Sequence, residues 1–247
     1  MPRFAANLTL LFTEWPVAER AMAARKAGFE GVEVLFPYTS PDWPKALADA
    51  DLPVALINTP APDWDSGGRG VAAVPGQKAR FRAEFDQALE MAHNVNAARI
   101  HIMAGLAEGP RANDTFLENL RWATEEAGNI PLTIEPINPI EIPGYFLNDF
   151  DQAAGILDAL NAPTLALQFD AYHAHRITGD VMGTWAKHGA RAAHVQVAGH
   201  PGRHEPMSGE IDYPGFFARL DSEGYQGWVS GEYHPKARTE DGLSWII

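Results

Sequence analysis

Eight short apolar runs recur along this chain, separated by stretches with helical periodicity and by no long linker. The runs cover residues 3–8, 31–36, 52–57, 98–103, 131–135, 164–170, 191–197 and 227–232. The stretches between them that read as helices are 15–27, 41–50, 75–93, 113–127, 150–160, 183–189 and 214–222, and a short last helix is expected over 236–247. Segment 75–93 shows the pattern best, with Phe81, Phe85, Leu89 and Ala92 on one face. Gly28 and Gly128 close the helices before them, and Asn148-Asp149 caps the one that begins at Phe150. Strands alternating with helices imply a parallel sheet, because neighbouring parallel strands need a crossover and the helix supplies it. Eight such units in 247 residues fit one α/β domain over 1–247, a single (β/α)8 barrel, a fold of typically about 250 residues. A doubly wound sheet would carry a Gly-rich phosphate turn after its first strand, and Asn7-Leu8-Thr9-Leu10-Leu11-Phe12 is not one. Gly67-Gly68-Arg69-Gly70 follows no strand and opens no helix, so it reads as a flexible loop.

Composition narrows the function classes. An apolar fraction of 46%, with seven Trp and twelve Phe, guarantees a packed interior. The absence of cysteine removes disulfides, a thiolate nucleophile and Cys-ligated zinc. Nineteen basic residues against 32 acidic ones give a net charge of −13, which disfavours nucleic acid and anionic membrane surfaces as partners. No apolar run approaches the roughly 20 residues that span a bilayer, and the N-terminus lacks a signal-like apolar region, so a cytoplasmic location is expected. Neither a G-x-S-x-G elbow nor an H-E-x-x-H motif is present.

The last four apolar runs each end in an oxygen-bearing side chain: Glu135, Asp170, Gln196 and Glu232. In a parallel barrel all strand C-termini open on one face, where chemistry is done. Three carboxylates and an amide meeting there call for a cation, and all-oxygen ligation suits Mg²⁺ or Mn²⁺ better than zinc. Just beyond the sixth run, His173 on a loop is placed to donate to a substrate oxygen. Pro136, Pro139 and Pro143 stiffen the segment carrying Asn138 and Glu141. Arg203, after the seventh run, is a natural clamp for a substrate carboxylate. Asn58 and Trp64 follow the third run and could touch substrate. His101 and His194 lie inside apolar runs and read as barrel-wall residues.

Six segments carry a family resemblance: Phe4-Ala5-Ala6-Asn7-Leu8, Gly28-Phe29-Glu30-Gly31-Val32-Glu33, Ile134-Glu135-Pro136-Ile137-Asn138, Gln168-Phe169-Asp170-Ala171-Tyr172-His173, His194-Val195-Gln196-Val197-Ala198 and Gly231-Glu232-Tyr233. Together with Gly209-Glu210-Ile211-Asp212-Tyr213 they resemble the hydroxypyruvate isomerase family, in the xylose isomerase-like TIM-barrel superfamily, from about Phe4 to Tyr233. The resemblance implies metal ligation by Glu135, Asp170, Gln196 and Glu232, with Glu135 and Glu232 as the acid/base pair. It implies substrate contact by His173, Arg203 and Glu141. Related ketose 3-epimerases carry histidine where Gln196 stands, so glutamine points to the hydroxypyruvate or 2-oxo-tetronate isomerase branch. The implied reaction interconverts hydroxypyruvate and tartronate semialdehyde through an enediolate, on a small hydroxy-carbonyl acid substrate. Relatives of this kind suggest a dimer or tetramer. A ketose 3-epimerase, a metal-dependent dehydratase and a catalytically silent sugar-binding protein are the rival readings.

Overall fold

The computed structural model describes residues 2–207 and 209–246. Eight parallel strands pair in chain order and close into a barrel: β1 (Arg3–Asn7), β2 (Gly31–Val34), β3 (Val54–Asn58), β4 (Ile100–His101), β5 (Leu132–Ile134), β6 (Leu165–Asp170), β7 (Ala192–Val197) and β8 (Trp228–Gly231). Closure is a direct ladder from β1 to β8, with Phe4 opposite Val229 and Ala6 opposite Gly231. Around it run α1 (Val17–Lys26), α2 (Trp43–Ala50), α3 (Lys78–Val95), α4 (Pro110–Glu126), α5 (Phe150–Leu160), α6 (Ala171–Thr178), α7 (Val181–His188) and α8 (Tyr213–Ser222). Among the described residues no helix is long and apolar enough to cross a membrane.

Strand alternation sorts the side chains. On β6, Phe169 points outward into an aromatic layer with Phe150, Trp185 and Phe216, while Gln168 bonds Glu135 and Gln196 across the barrel interior. Trp228 fills the lower interior with Ala5 and Ala55. Gly31 makes room for it, since a Cβ there would lie 2.8 Å from the Trp228 ring. Above that apolar floor the interior turns polar, with Asn7, Glu33, Thr133, Gln168, His194, Gln196 and Ser230 all buried.

Three readings of the sequence need correction. The segment after β6 is not a loop: α6 starts at once, with Asp170 as its N-cap accepting from the backbone N–H of Tyr172 and His173. His173, His175 and Arg176, spread around Ala171–Thr178 with His173 on the buried side, hide its helical period. The tail forms only a short 3-10 turn, Thr239–Gly242, in place of a last helix, and Trp245 packs against Phe4 and Phe29 instead. The glycine-rich stretch is held in place. Gly70 bridges to Ala104 with a positive φ of 84°, and a Cβ there would sit 2.5 Å from the Met103 carbonyl oxygen.

Candidate active site

Glu135, Asp170, Gln196 and Glu232 stand at the C-terminal ends of β5 to β8, and all four are buried. Asp170 pairs with Gln196 in the β6–β7 register. Gln168 Nε2 ties Glu135 Oε2 (3.0 Å) to Gln196 Oε1 (2.7 Å). Arg203 Nη2 donates to Glu232 Oε2 at 2.7 Å and lies 3.8 Å from Asp170 Oδ2. A cavity of about 240 Å³ opens above them, lined by Glu135, Glu232, Arg203, His173, His101, Asn58, Trp64 and His234 among others.

Glu135, Asp170 and His173 offer ligand atoms that all lie within 4.8 Å of one another, a buried group that could hold a metal ion. Asp170 Oδ2 is the clearest sign. It is buried, its sister oxygen caps α6, and it has no hydrogen-bond partner among the described residues. Such an orphaned carboxylate oxygen is costly unless something positive meets it.

The hydrogen bonds fix the state of His173. Asn138 Oδ1 accepts the Glu141 N–H at 3.0 Å, so the other end of that amide is its NH₂, 2.7 Å from His173 Nδ1. Nδ1 therefore accepts and Nε2 carries the proton, so the ring has no lone pair left for an ion, and of the three grouped residues Glu135 and Asp170 remain as ligands. Nε2–H points toward Asp170 Oδ2 (3.6 Å) and Glu135 Oε1 (3.8 Å). Burial lowers the His173 pKa to about 4, against the pull of Asp170, so the ring is a neutral donor at neutral pH.

The two glutamates differ from surface carboxyls. Burial, then the charges of Glu232 and Asp170, raise Glu135 well above the ordinary carboxylate range. Burial raises Glu232 to about 8; Arg203 opposes the shift, while Asp170 and Glu33 add to it. Burial works against the charge of Arg203, but Glu232, Asp170, Glu141 and Glu135 outweigh it and raise its pKa. Arg203 lines the cavity, and its Nε is buried with no hydrogen-bond partner among the described residues.

A pH effect on stability follows. A carboxyl held more tightly protonated in the folded chain stabilises the fold below its unfolded value of 4.5, and that contribution is lost as pH rises through about 8. The metal-free protein should therefore show a falling contribution to Tm from about pH 5 to about pH 8.5, and Glu232→Gln should flatten the slope. Calorimetry of both proteins in chelator across that range checks it; identical slopes would contradict the Glu232 shift.

Asn58 is buried on the cavity wall, its Oδ1 3.1 Å from His101 Nδ1. Glu141 sits one layer out, receiving the Tyr172 hydroxyl and Arg203 Nη1 (3.3 Å). His101 and His194 are buried as expected of wall residues, yet both belong to polar networks: His194 Nε2 is 2.7 Å from Glu33 Oε2. Sequence reasoning missed Glu33, Asn7 and Gln168 in the buried network, and Leu10 and His234 on the cavity wall. The available signal for Glu33 was a carboxylate inside a short apolar strand.

A second cluster lies outside the cavity. Glu210 Oε2 is 3.2 Å from both His175 Nε2 and His200 Nδ1. Arg176 Nη1, which can only donate, meets His200 Nε2 at 3.0 Å. That leaves the His200 proton on Nδ1, facing Glu210, so the cluster is a hydrogen-bonded staple between α6 and the loop after β7.

Comparison with known proteins agrees with this architecture. The family model described as xylose isomerase-like TIM barrel matches residues 21–247. The chain belongs to that family. It is 43% identical to a protein of Cupriavidus necator named 2-oxo-tetronate isomerase, covering 100% of this chain and 98% of the relative. It is 36% identical to the hydroxypyruvate isomerase of Escherichia coli K12, with the same two coverages. A crystal structure from Brucella melitensis named as an AP endonuclease of family 2 superposes with a TM-score of 0.95 at 41% identity, covering 100% of this chain and 98% of that one. A D-allulose 3-epimerase from Methylomonas sp., at 17% identity and a TM-score of 0.75, covering 99% of this chain and 88% of that one, shares the fold.

Proposed function

We propose that this protein is a divalent-metal-dependent isomerase that interconverts hydroxypyruvate and 2-hydroxy-3-oxopropanoate. The observation that carries the reading is a pair of buried glutamates, Glu135 and Glu232, lining one cavity with Arg203 and a neutral His173. Full-length relatives named as isomerases of small hydroxy-carbonyl acids support the reaction class.

Isomerisation removes a proton from one carbon and delivers one to its neighbour through an enediolate. Glu135 and Glu232, on strands far apart around the barrel wall, serve as base and acid and exchange roles in the reverse direction. Both carboxyl groups are buried and line the one cavity, where a proton carrier must sit. His173 Nε2–H donates to a substrate oxygen, and the Arg203 guanidinium, on the cavity wall, binds the substrate carboxylate. Asn58 contributes to the cavity wall. The residues that would hold the cation are Glu135, Asp170, Gln196 and Glu232, an oxygen set suited to Mg²⁺ or Mn²⁺. When bound, such an ion stabilises the negative charge that develops on the two adjacent substrate oxygens.

The relative at 43% identity favours one second reading, 2-oxo-tetronate as substrate, which the same residues would process. Nuclease action is disfavoured by the net charge of −13, since a phosphate backbone seeks clustered cations. The decisive experiment incubates each acid with enzyme in D₂O and follows carbon-bound deuterium by NMR. Uptake together with product is expected. Binding without exchange would overturn the isomerase reading, and turnover of the four-carbon acid alone would favour the second.

A further inference from the structure

One backbone group decides the direction of a hydrogen-bond chain beneath the cavity. Thr9 N–H donates to Asn7 Oδ1 at 3.0 Å, so the opposite end of the Asn7 amide is its NH₂. That NH₂ donates to Glu33 Oε1 at 2.7 Å. Gln196 meets the same oxygen at 2.9 Å and does so through its own NH₂. Its carbonyl oxygen is thereby turned the other way, where Gln168 Nε2 donates to it at 2.7 Å. The same Nε2 holds Glu135 Oε2 at 3.0 Å, and the Thr133 hydroxyl donates to Gln168 Oε1 at 3.1 Å. His194 Nε2 completes Glu33 at 2.7 Å. The side chains of Asn7, Glu33, Gln196, Gln168, Thr133 and His194 are all buried, so an amide among them turned the wrong way leaves a polar group unpaired.

An amide ligates a hard cation only through its oxygen. We propose that Asn7, Glu33 and Gln168 are positioning residues that hold the Gln196 carbonyl oxygen toward the cation and keep Glu135 Oε1 clear. This rests on the cation reading above and deepens it, since the three residues act through their neighbours. Gln168 takes one oxygen of Glu135, leaving Oε1 on the side of His173, 3.8 Å from its Nε2. Orientation of ligands by the groups behind them is a general requirement of metal sites.

The direction of the chain is testable with near-isosteric variants. In Asn7→Asp combined with Glu33→Gln, the carboxylate and amide trade places at constant total charge. The new carboxylate on β1 still accepts from Thr9 N–H, but the new amide on β2 must turn its NH₂ toward that carboxylate and hence toward Gln196. The Gln196 amide then flips, presenting NH₂ where a ligand oxygen is needed. Glu33→Gln alone keeps the direction: the oxygen of the introduced amide stays toward Asn7, and its NH₂ faces His194. The His194 Nδ1, which has no hydrogen-bond partner among the described residues, takes over the ring proton.

Mn²⁺ affinity, measured by electron paramagnetic resonance titration, is the readout, with circular dichroism as the check on folding. The double variant should bind Mn²⁺ at least about tenfold more weakly than wild type, and Glu33→Gln alone within about threefold of it. Adding Gln196→Glu to the double variant should restore binding, because a carboxylate accepts from both sides. Asn7 Nδ2 lies 3.5 Å from Glu232 Oε1, so the double variant moves a negative charge beside a ligand. The same change costs Glu232 that donor, so restoration by Gln196→Glu and a parallel loss in Gln168→Met, which leaves Asn7 in place, assign the loss to orientation. Gln168→Met, which removes the donor from the other end, should also cost about tenfold or more, and it serves if the double variant does not fold. Undiminished binding by the double variant or by Gln168→Met overturns the relay, as does an equal loss in Glu33→Gln alone. A wild-type protein that takes up no Mn²⁺ overturns the cation reading itself.

Discussion

Glu232→Gln should lower isomerase turnover by about 10³-fold or more while leaving the fold intact. The substitution keeps the size of the side chain, and the amide oxygen can still accept from Arg203, now 2.7 Å from Glu232 Oε2. In the proposed reaction, what it removes is a proton carrier. A positioned acid or base contributes about 10²–10⁴ to rate, and a thousandfold loss is about 4 kcal/mol of barrier. The fold should not suffer. Glu232 is buried, and in the metal-free protein burial raises its pKa to about 8, so a neutral isostere removes a penalty there. The measurement is kcat and KM together with Tm: kcat should collapse and Tm should hold or rise. Wild-type turnover in this variant would remove Glu232 from the chemistry. The matching Glu135→Gln variant should fail as completely, because a proton must be both taken and given.

The barrel and the four strand-end groups were legible in the sequence for one reason. Apolar runs such as Leu132-Thr133-Ile134-Glu135 and Trp228-Val229-Ser230-Gly231-Glu232 place their terminal side chains by strand geometry alone. That geometry brings Glu135, Asp170, Gln196 and Glu232 to one end of the barrel without any further information. The helix directly after β6 was not legible, because its N-cap is Asp170, a residue already accounted for as the end of a strand. One carboxylate does two jobs there, and periodicity reports only one of them.

The buried network below the site was illegible for a different reason. Glu33, Gln168 and His194 interrupt apolar strands singly, and each alone resembles a tolerated exception. Their meaning comes from partners up to 163 residues apart, as between Gln196 and Glu33. The orientation of an amide is a property of that whole chain. No local pattern encodes that Thr9 N–H directs Gln196 through Asn7 and Glu33. The state of His173 is set in the same nonlocal manner, by the backbone N–H of Glu141 acting through Asn138.

Stripping the protein of divalent cations should remove activity by about 10³-fold or more, and Mg²⁺ or Mn²⁺ should restore it. The expectation follows from the charge balance around the cavity. Glu135, Asp170 and Glu232 are buried together, and Arg203 is the cation that reaches Asp170 and Glu232 while also serving Glu141. One guanidinium among four carboxylates leaves Asp170 Oδ2 without a hydrogen bond among the described residues, and burial, with the neighbouring carboxylates, raises the pKa of both glutamates. A cation among these oxygens would displace the glutamate protons, so metal uptake at neutral pH should release protons, measurable by calorimetry in buffers of different ionisation enthalpy. Zinc should restore less, because the His173 Nε2–H is a donor fixed by Asn138 and the remaining set offers only oxygen. Full turnover by exhaustively chelated protein would refute the cation, and the three carboxylates would then have to work with Arg203 alone.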